Sequence, residues 1–203
     1  MKNILLIVDP QNDFITGTLP VEGAEERMKK LASYIDNVFD QYDYILITLD
    51  SHPDDHCSFV ENGGTWPKHC VLWSDGWDMP KYIQDALEKT KKCVSSCYHK
   101  GDTPNKEEYS IFNNDEDGFR LAGLLRKLVE EGDLYVDICG IAGDYCVLET
   151  LKGLRKIVPD ECISLLTDLI ASIDGGEKLL AYANENQINI IEDSSINLTE
   201  YVR

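Results

Sequence analysis

Short apolar runs recur along the chain, each followed by a polar turn and a helical stripe, and this rhythm most constrains the fold. Residues 3–9 read NILLIVD, the near-continuous apolar run of a strand covered on both faces. Within residues 24–41, Met28, Leu31, Ile35 and Phe39 recur at helical spacing. A second strand follows at 43–49 (DYILITL) and a shorter third at 93–99. Leu121, Leu124, Leu125 and Leu128 mark a helix over 118–131, before a fourth strand at 134–141 and a helix over 144–157. A fifth strand at 161–167, a helix at 175–186 and a sixth strand at 187–192 complete the pattern. Alternation of this kind predicts an α/β fold with a mostly parallel, roughly six-stranded sheet covered by helices on both faces. In such sheets function gathers beyond the carboxyl ends of the strands. That points to Asp9 onward, Asp50 onward, residues 99–100 and residues 140–146.

With 203 residues the chain fits one domain, 1–203, and needs no disulfide or metal for stability. The stretch from about 50 to 92, rich in Gly, Pro, His and Trp, is too long for an idle connection and reads as a functional, cap-like insertion. Nineteen basic against 37 acidic residues give a net charge of −18, which repels phosphate backbones and anionic membranes. No nucleic-acid or membrane partner is expected. No stretch reaches the ~18 apolar residues of a membrane span, and the short run at 4–8 is no secretory core. Seven cysteines, an odd number without framework spacing, read as reduced thiols of a cytoplasmic protein.

The fourth strand runs through Gly140-Ile141-Ala142-Gly143-Asp144-Tyr145-Cys146 into a helix. That puts Cys146 near a helix N-terminus, where backbone N–H groups lower a thiol's pKa and can hold an oxyanion. The competing reading is a buried cysteine packing as a small hydrophobe. Asp9, directly after the first strand, is placed to take a thiol proton, or to cap a turn with Pro10 and Asn12. Lys100, at the end of the third strand, can neutralise a carboxylate or a developing charge. Three of the four histidines, His52, His56 and His69, fall in one loop region with Asp50. Asp-x-His on an extended segment sends both side chains to one face. Asp50, His52 and His69 form a carboxylate–imidazole set suited to zinc, iron or manganese with open positions. A closed site using Cys57 or Cys70, and a polar loop binding no metal, are the alternatives.

Taken together, five segments resemble the nicotinamidase/pyrazinamidase family of the isochorismatase-like cysteine hydrolases. They are Asp9-x-Gln11-Asn12-Asp13-Phe14; Asp50-x-His52-Pro53 with His56, Ser58 and Phe59; Trp66-Pro67-x-His69-Cys70-Val71; Lys100-Gly101 with Tyr109-Ser110-x-Phe112; and Gly140-x-Ala142-x-Asp144-Tyr145-Cys146-Val147. They occur in family order and cover residues 1 to about 150. The resemblance implies a three-layer α/β/α sandwich and hydrolysis of nicotinamide to nicotinate and ammonia through a thioester, within NAD salvage. It implies Cys146 as nucleophile, Asp9 as general base and acid, and Lys100 as the positive group between them. It implies one divalent metal ion, zinc first, on Asp50, His52 and His69, with His56 or Glu61 as an extra ligand. Phe14, Trp66 and Tyr109 would form a slot for a flat ring. The Ile141–Ala142 peptide would be cis, and the N–H groups of Ala142 and Cys146 would form the oxyanion hole.

The chain departs from the family pattern at Ser51, where an aromatic residue is usual and whose loss would widen the pocket. It departs again at Trp73 and Trp77, which would stand near the mouth and favour a homo-oligomer. Another small amide, a carbamoyl or ureido compound, is the alternative substrate. A non-catalytic role binding a flat metabolite or a partner is the third reading.

Overall fold

In the computed structural model, which describes residues 1–90 and 94–195, six strands form one sheet. They are β1 (Lys2–Val8), β2 (Tyr44–Asp50), β3 (Val94–Lys100), β4 (Leu134–Ile141), β5 (Ile163–Ala171) and β6 (Asn189–Ile191). Their order is β3-β2-β1-β4-β5-β6 and every pairing is parallel. Cys93, expected to open the third strand, lies outside the described residues. Central β1 is the most apolar run, and Ile4 to Val8 are fully buried because helices cover both faces. The chain leaves β1 toward β2 on one side and returns to β4 on the other. Strand order therefore reverses between β1 and β4, which opens a crevice beyond their carboxyl ends.

Among the described residues six α-helices accompany the sheet: α1 (Asn12–Ile15), α2 (Ala24–Val38), α3 (Lys81–Glu88), α4 (Asp117–Glu131), α5 (Leu148–Leu154) and α6 (Glu177–Glu185). Met28, Leu31 and Ile35 form the buried stripe of α2, and Leu121, Leu125 and Leu128 that of α4. Asn114 Oδ1 accepts from the N–H groups of Glu116 and Asp117, which fixes the start of α4. Among the described residues no helix is long and apolar enough to cross a membrane.

Several boundaries differ from the sequence expectation for identifiable reasons. The insertion after β2 is not all loop, because α3 lies inside it, buries Ile83 and Ala86, and packs against α2. β5 continues past Thr167 through Asp168, whose carboxylate accepts from Ser194 N–H and Oγ–H and pairs with Lys30. The helix expected from 144 to 157 begins instead as a π-helical turn over Gly143–Val147, in which Val147 N–H reaches back to Ala142 O. At Gly140 (φ +122°) a Cβ would lie 2.0 Å from Val8 O, so only glycine lets β4 approach β1 this closely beneath the crevice.

Candidate active site

Each strand bordering the crevice delivers one group to it. Asp9 leaves β1 in the left-handed conformation (φ +46°), held by its N–H to Thr48 O and by Gln11 N–H to its own carbonyl. Its carboxylate is fully buried; Oδ1 accepts from Thr48 Oγ1 at 2.6 Å and Oδ2 lies 2.9 Å from Lys100 Nζ. Lys100 ends β3, also fully buried, and its ammonium stands 3.0 Å from Asp50 Oδ1 and 3.5 Å from Cys146 Sγ. Cys146 sits in the π-helical turn after β4, and the Ile141–Ala142 peptide bond before that turn is cis. The ends of β1 and β3 and the turn after β4 thus bring Asp9, Lys100 and Cys146 to one point.

The electrostatics of this cluster follow from burial without water. Burial pushes the Asp9 carboxyl up, and Lys100 offsets only part of that rise. Burial also pushes the Cys146 thiol well above its ordinary value, despite the neighbouring ammonium. The direction is opposite to the lowering expected of a helix terminus. For Lys100 burial works in the opposite sense, yet Asp50 and Asp9 hold its ammonium well above the ordinary range. Burial also opposes charge on Asp50, but His52, when no metal is bound and its ring is protonated, and Lys100 hold its carboxyl well below the usual range.

Asp50, His52 and His69 present one ligand atom each, all within 4.8 Å of one another. Asp50 Oδ2 lies 2.9 Å from His52 Nε2 and 3.5 Å from His69 Nε2. On the far side of each ring, Nδ1 meets a backbone carbonyl: Gly101 O at 2.9 Å for His52 and Pro67 O at 2.7 Å for His69. A ring that donates Nδ1–H to a carbonyl carries its lone pair on Nε2. Two such lone pairs facing one carboxylate oxygen make a donor set that a divalent cation satisfies, so the residues fit the implied metal.

The supports of this set are buried as well. Gln11 grips the Asp50 peptide through Oε1 to the N–H and Nε2 to the carbonyl. Asp13 Oδ2 accepts Cys70 N–H at 2.8 Å and so places the loop that carries His69. Glu108 Oε2 accepts Gly101 N–H at 2.9 Å and so holds the residue whose carbonyl meets His52.

His56 and Glu61 stand outside the group. His56 stacks on His52, with its ring nitrogens engaged by Ser58 Oγ and Lys106 O. Glu61 is exposed near Lys68.

A narrow slot runs from the metal-ligand set to Cys146. Phe14, Trp66 and Tyr109 line it, together with Tyr145, Ile173 and Glu107. Trp66 Nε1 donates to Tyr109 OH at 3.1 Å, and Tyr145 packs edge-on against Trp66. The slot encloses about 30 Å³, room for a water or two. Tyr145, Glu107 and Ile173 had no assigned role in the sequence reading. Tyr145 was legible from its place beside Cys146, whereas Ile173 follows β5, far from the other slot residues in sequence.

Ser51 does not widen the slot. Strand alternation turns it away from Asp50 and His52, and its hydroxyl meets His99 Nδ1 and Trp77 Nε1, each at 2.9 Å. Trp73 and Trp77 likewise line a separate surface cleft with His99 rather than the mouth.

A buried thiol, carboxylate and ammonium at the switch point of a parallel sheet, beside a carboxylate–imidazole set, define a hydrolase of the α/β type with a metal-ligand set. The chain is 35% identical over 183 residues to the nicotinamidase/pyrazinamidase of Mycobacterium tuberculosis, covering 87% of this chain and 90% of that one. It belongs to the nicotinamidase/pyrazinamidase family. Two solved structures share the fold. PnC1 from L. infantum in complex with nicotinate has a TM-score of 0.79 and 32% identity, over 96% of this chain and 94% of that one. Pyrazinamidase of Pyrococcus horikoshii in complex with zinc has a TM-score of 0.75 and 31% identity, over 95% and 100%. No family model matches the chain.

Proposed function

We infer that the chain hydrolyses the carboxamide of nicotinamide to nicotinate and ammonia, with Cys146 as nucleophile. The observation that carries this reading is the convergence of Asp9, Lys100 and Cys146 at the inner end of an aromatic slot. The nicotinate-bound and zinc-bound relatives support it.

Asp9, made more basic by burial, takes the Cys146 proton. The sulfur attacks the amide carbon, and the oxyanion is held by the N–H groups of Ala142 and Cys146. Lys100 balances the negative charge that the thiolate brings. The tetrahedral adduct collapses as Asp9 returns the proton to the leaving nitrogen, releasing ammonia and leaving a thioester. Asp9 then removes a proton from water, the hydroxide cleaves the thioester, and the proton passes back to sulfur; the acid formed gives up its own proton to solvent and departs as nicotinate. Phe14, Trp66 and Tyr109 hold the ring so that the carboxamide reaches Cys146.

Asp50, His52 and His69 would hold the metal ion, zinc first. When bound, such an ion supplies a Lewis-acidic anchor for the pyridine nitrogen. Nicotinate production places the enzyme in NAD salvage, and six cysteines that form no disulfide among the described residues support a cytoplasmic setting. Trp73, 84% exposed, supports a homo-oligomer.

The test is ammonia release from nicotinamide by metal-loaded protein, chelated protein and Cys146→Ala. Release only by the first establishes the reading. No release by the loaded protein, with Cys146 still alkylated, overturns the nicotinamide assignment.

A further inference from the structure

Ile173 stands between two cavities. On one side it lines the slot with Ala142, Tyr145 and Cys146. On the other it lines an open cleft of about 500 Å³ with Ile170, Leu179 and Leu180. It is the one described residue that borders both, and Val21 of the slot is followed directly by Glu22 of the cleft. The Ile173 side chain is half exposed, but its backbone is fixed. Its N–H donates to Asp144 Oδ1 at 2.8 Å, and Asp144 is buried in the turn that carries Cys146. The next residue, Asp174, accepts from the N–H groups of Gly176 and Lys178 at the start of α6. Ile173 is thus held from both directions as a wall between slot and cleft.

Strand order decides which part of a ligand meets this wall. Asp50 ends β2, Asp9 follows β1, Cys146 follows β4 and Ile173 follows β5. Cys146 therefore lies between the metal-ligand set and Ile173 along the crevice. A ring held toward Asp50 and His69, with its carboxamide carbon at Cys146 and its oxygen at the oxyanion N–H groups, turns the amide nitrogen toward β5. We propose that Ile173 is a specificity-determining residue that confines the slot to primary amides by closing the space an N-alkyl group would occupy. The proposal rests on the nicotinamide reading and extends it to the leaving group. With the wall shortened, the alkyl group of a secondary amide enters the cleft, where Ile170, Leu179 and Leu180 suit it. The chemistry is otherwise unchanged. The amide C–N bond breaks, the amine leaves with the proton from Asp9, and one water is consumed in freeing nicotinate. A single methylene in a confined apolar site is worth about 10–200-fold in discrimination.

The experiment measures binding of nicotinamide, N-ethylnicotinamide and 5-methylnicotinamide to metal-loaded Cys146→Ala protein, alone and combined with Ile173→Ala or Ile173→Val. Release of ammonia or ethylamine is followed in parallel with Cys146 intact. The affinity for N-ethylnicotinamide relative to nicotinamide is expected to rise about tenfold or more with Ile173→Ala and less with Ile173→Val. The ratio for 5-methylnicotinamide, which carries its extra carbon on the ring, should move far less, and ethylamine release should follow the affinity. An intact wall that binds N-ethylnicotinamide as well as nicotinamide, or an Ala variant that gains equally for both substituted amides, overturns the proposal. The expected shift in a protein that releases no ammonia from nicotinamide overturns the amidase reading and keeps the wall as a size limit. Ammonia release without the shift does the reverse. Binding of none of the three amides overturns both.

Discussion

The ammonium of Lys100 lies 2.9 Å from Asp9 Oδ2, and neither side chain has any solvent exposure. The two residues come from the ends of β3 and β1, with β2 between them, so the pair bridges three strands at the crevice. The same ammonium also touches Asp50 and Cys146. One positive charge thereby compensates two buried carboxylates, the inferred base Asp9 and the proposed metal ligand Asp50, and lies beside the Cys146 sulfur. A buried ion pair is weak evidence of net stabilisation, but breaking one by removing a single partner is costly.

Lys100→Met is therefore expected to lose both stability and activity. Asp9 and Asp50 would be left buried beside one another without compensation. The expected loss is about 3–5 kcal/mol in urea unfolding, together with a fall in amidase rate of about 100-fold or more. A variant that unfolds at the wild-type urea concentration would show that the ammonium contributes nothing to holding the cluster.

At Gly101 the backbone passes close to Asp50 and His52. Its φ is +70°, and a Cβ there would lie 2.6 Å from His52 Cε1 and 2.8 Å from Asp50 Oδ1. Gly101→Ala is expected to weaken zinc binding by about 10–100-fold, the scale of a disturbed outer shell, in competition with a chromophoric chelator. Gly123→Ala is the matched control. That glycine lies on the exposed side of α4, and a Cβ there would meet nothing within 4 Å, so the change should stabilise by about 0.5–1 kcal/mol and leave zinc affinity unmoved.

The strand ends were the most legible part of this chain, because a buried strand shows as an apolar run and the first polar residue after it marks the crevice. Asp9, Asp50 and Lys100 were found in this way. Helix α3 was not, because it is only eight residues long and its apolar positions, Ile83, Ala86 and Leu87, sit between charged neighbours inside a loop-like stretch. The placement of Ser51 was available in principle. Period-two alternation puts it on the face opposite Asp50 and His52, and the expectation of a wider slot overlooked that. Glu107 sits in a polar run, 102–108, that carries no motif. No pattern marked the thiol's raised pKa, because helix-terminus effects are local whereas burial is set by the whole fold.

Trp66 joins two roles in the slot, as a ring face and as a donor to Tyr109. Trp66→Phe keeps a face and loses the donor, whereas Trp66→Ala loses both. The Ala variant is expected to raise KM for nicotinamide by about tenfold, the worth of one aromatic contact, and the Phe variant by less. Steady-state ammonia release checks the order. Equal KM values in all three proteins would remove Trp66 from ring binding.

Tyr42 sets a limit on stability at high pH. Its hydroxyl donates to Asp137 Oδ2 at 2.8 Å, so the 2.6 Å contact with Tyr34 has Tyr34 as donor. Burial, then the Asp137 charge, hold the Tyr42 phenol well above its ordinary value. In the unfolded chain a tyrosine loses its proton near pH ~10. Below that pH both states hold the proton and the contribution to stability is fully present. Above it the unfolded state gives up a proton that the folded state keeps, so stability falls as pH rises toward the folded-state value. The slope from this one group approaches about 1.4 kcal/mol per pH unit. Tyr42→Phe should lose stability at neutral pH with its two hydrogen bonds, yet decline less steeply than wild type above pH ~10. Urea midpoints measured at closely spaced alkaline pH values would show this, and parallel curves for the two proteins would exclude Tyr42 as the group responsible.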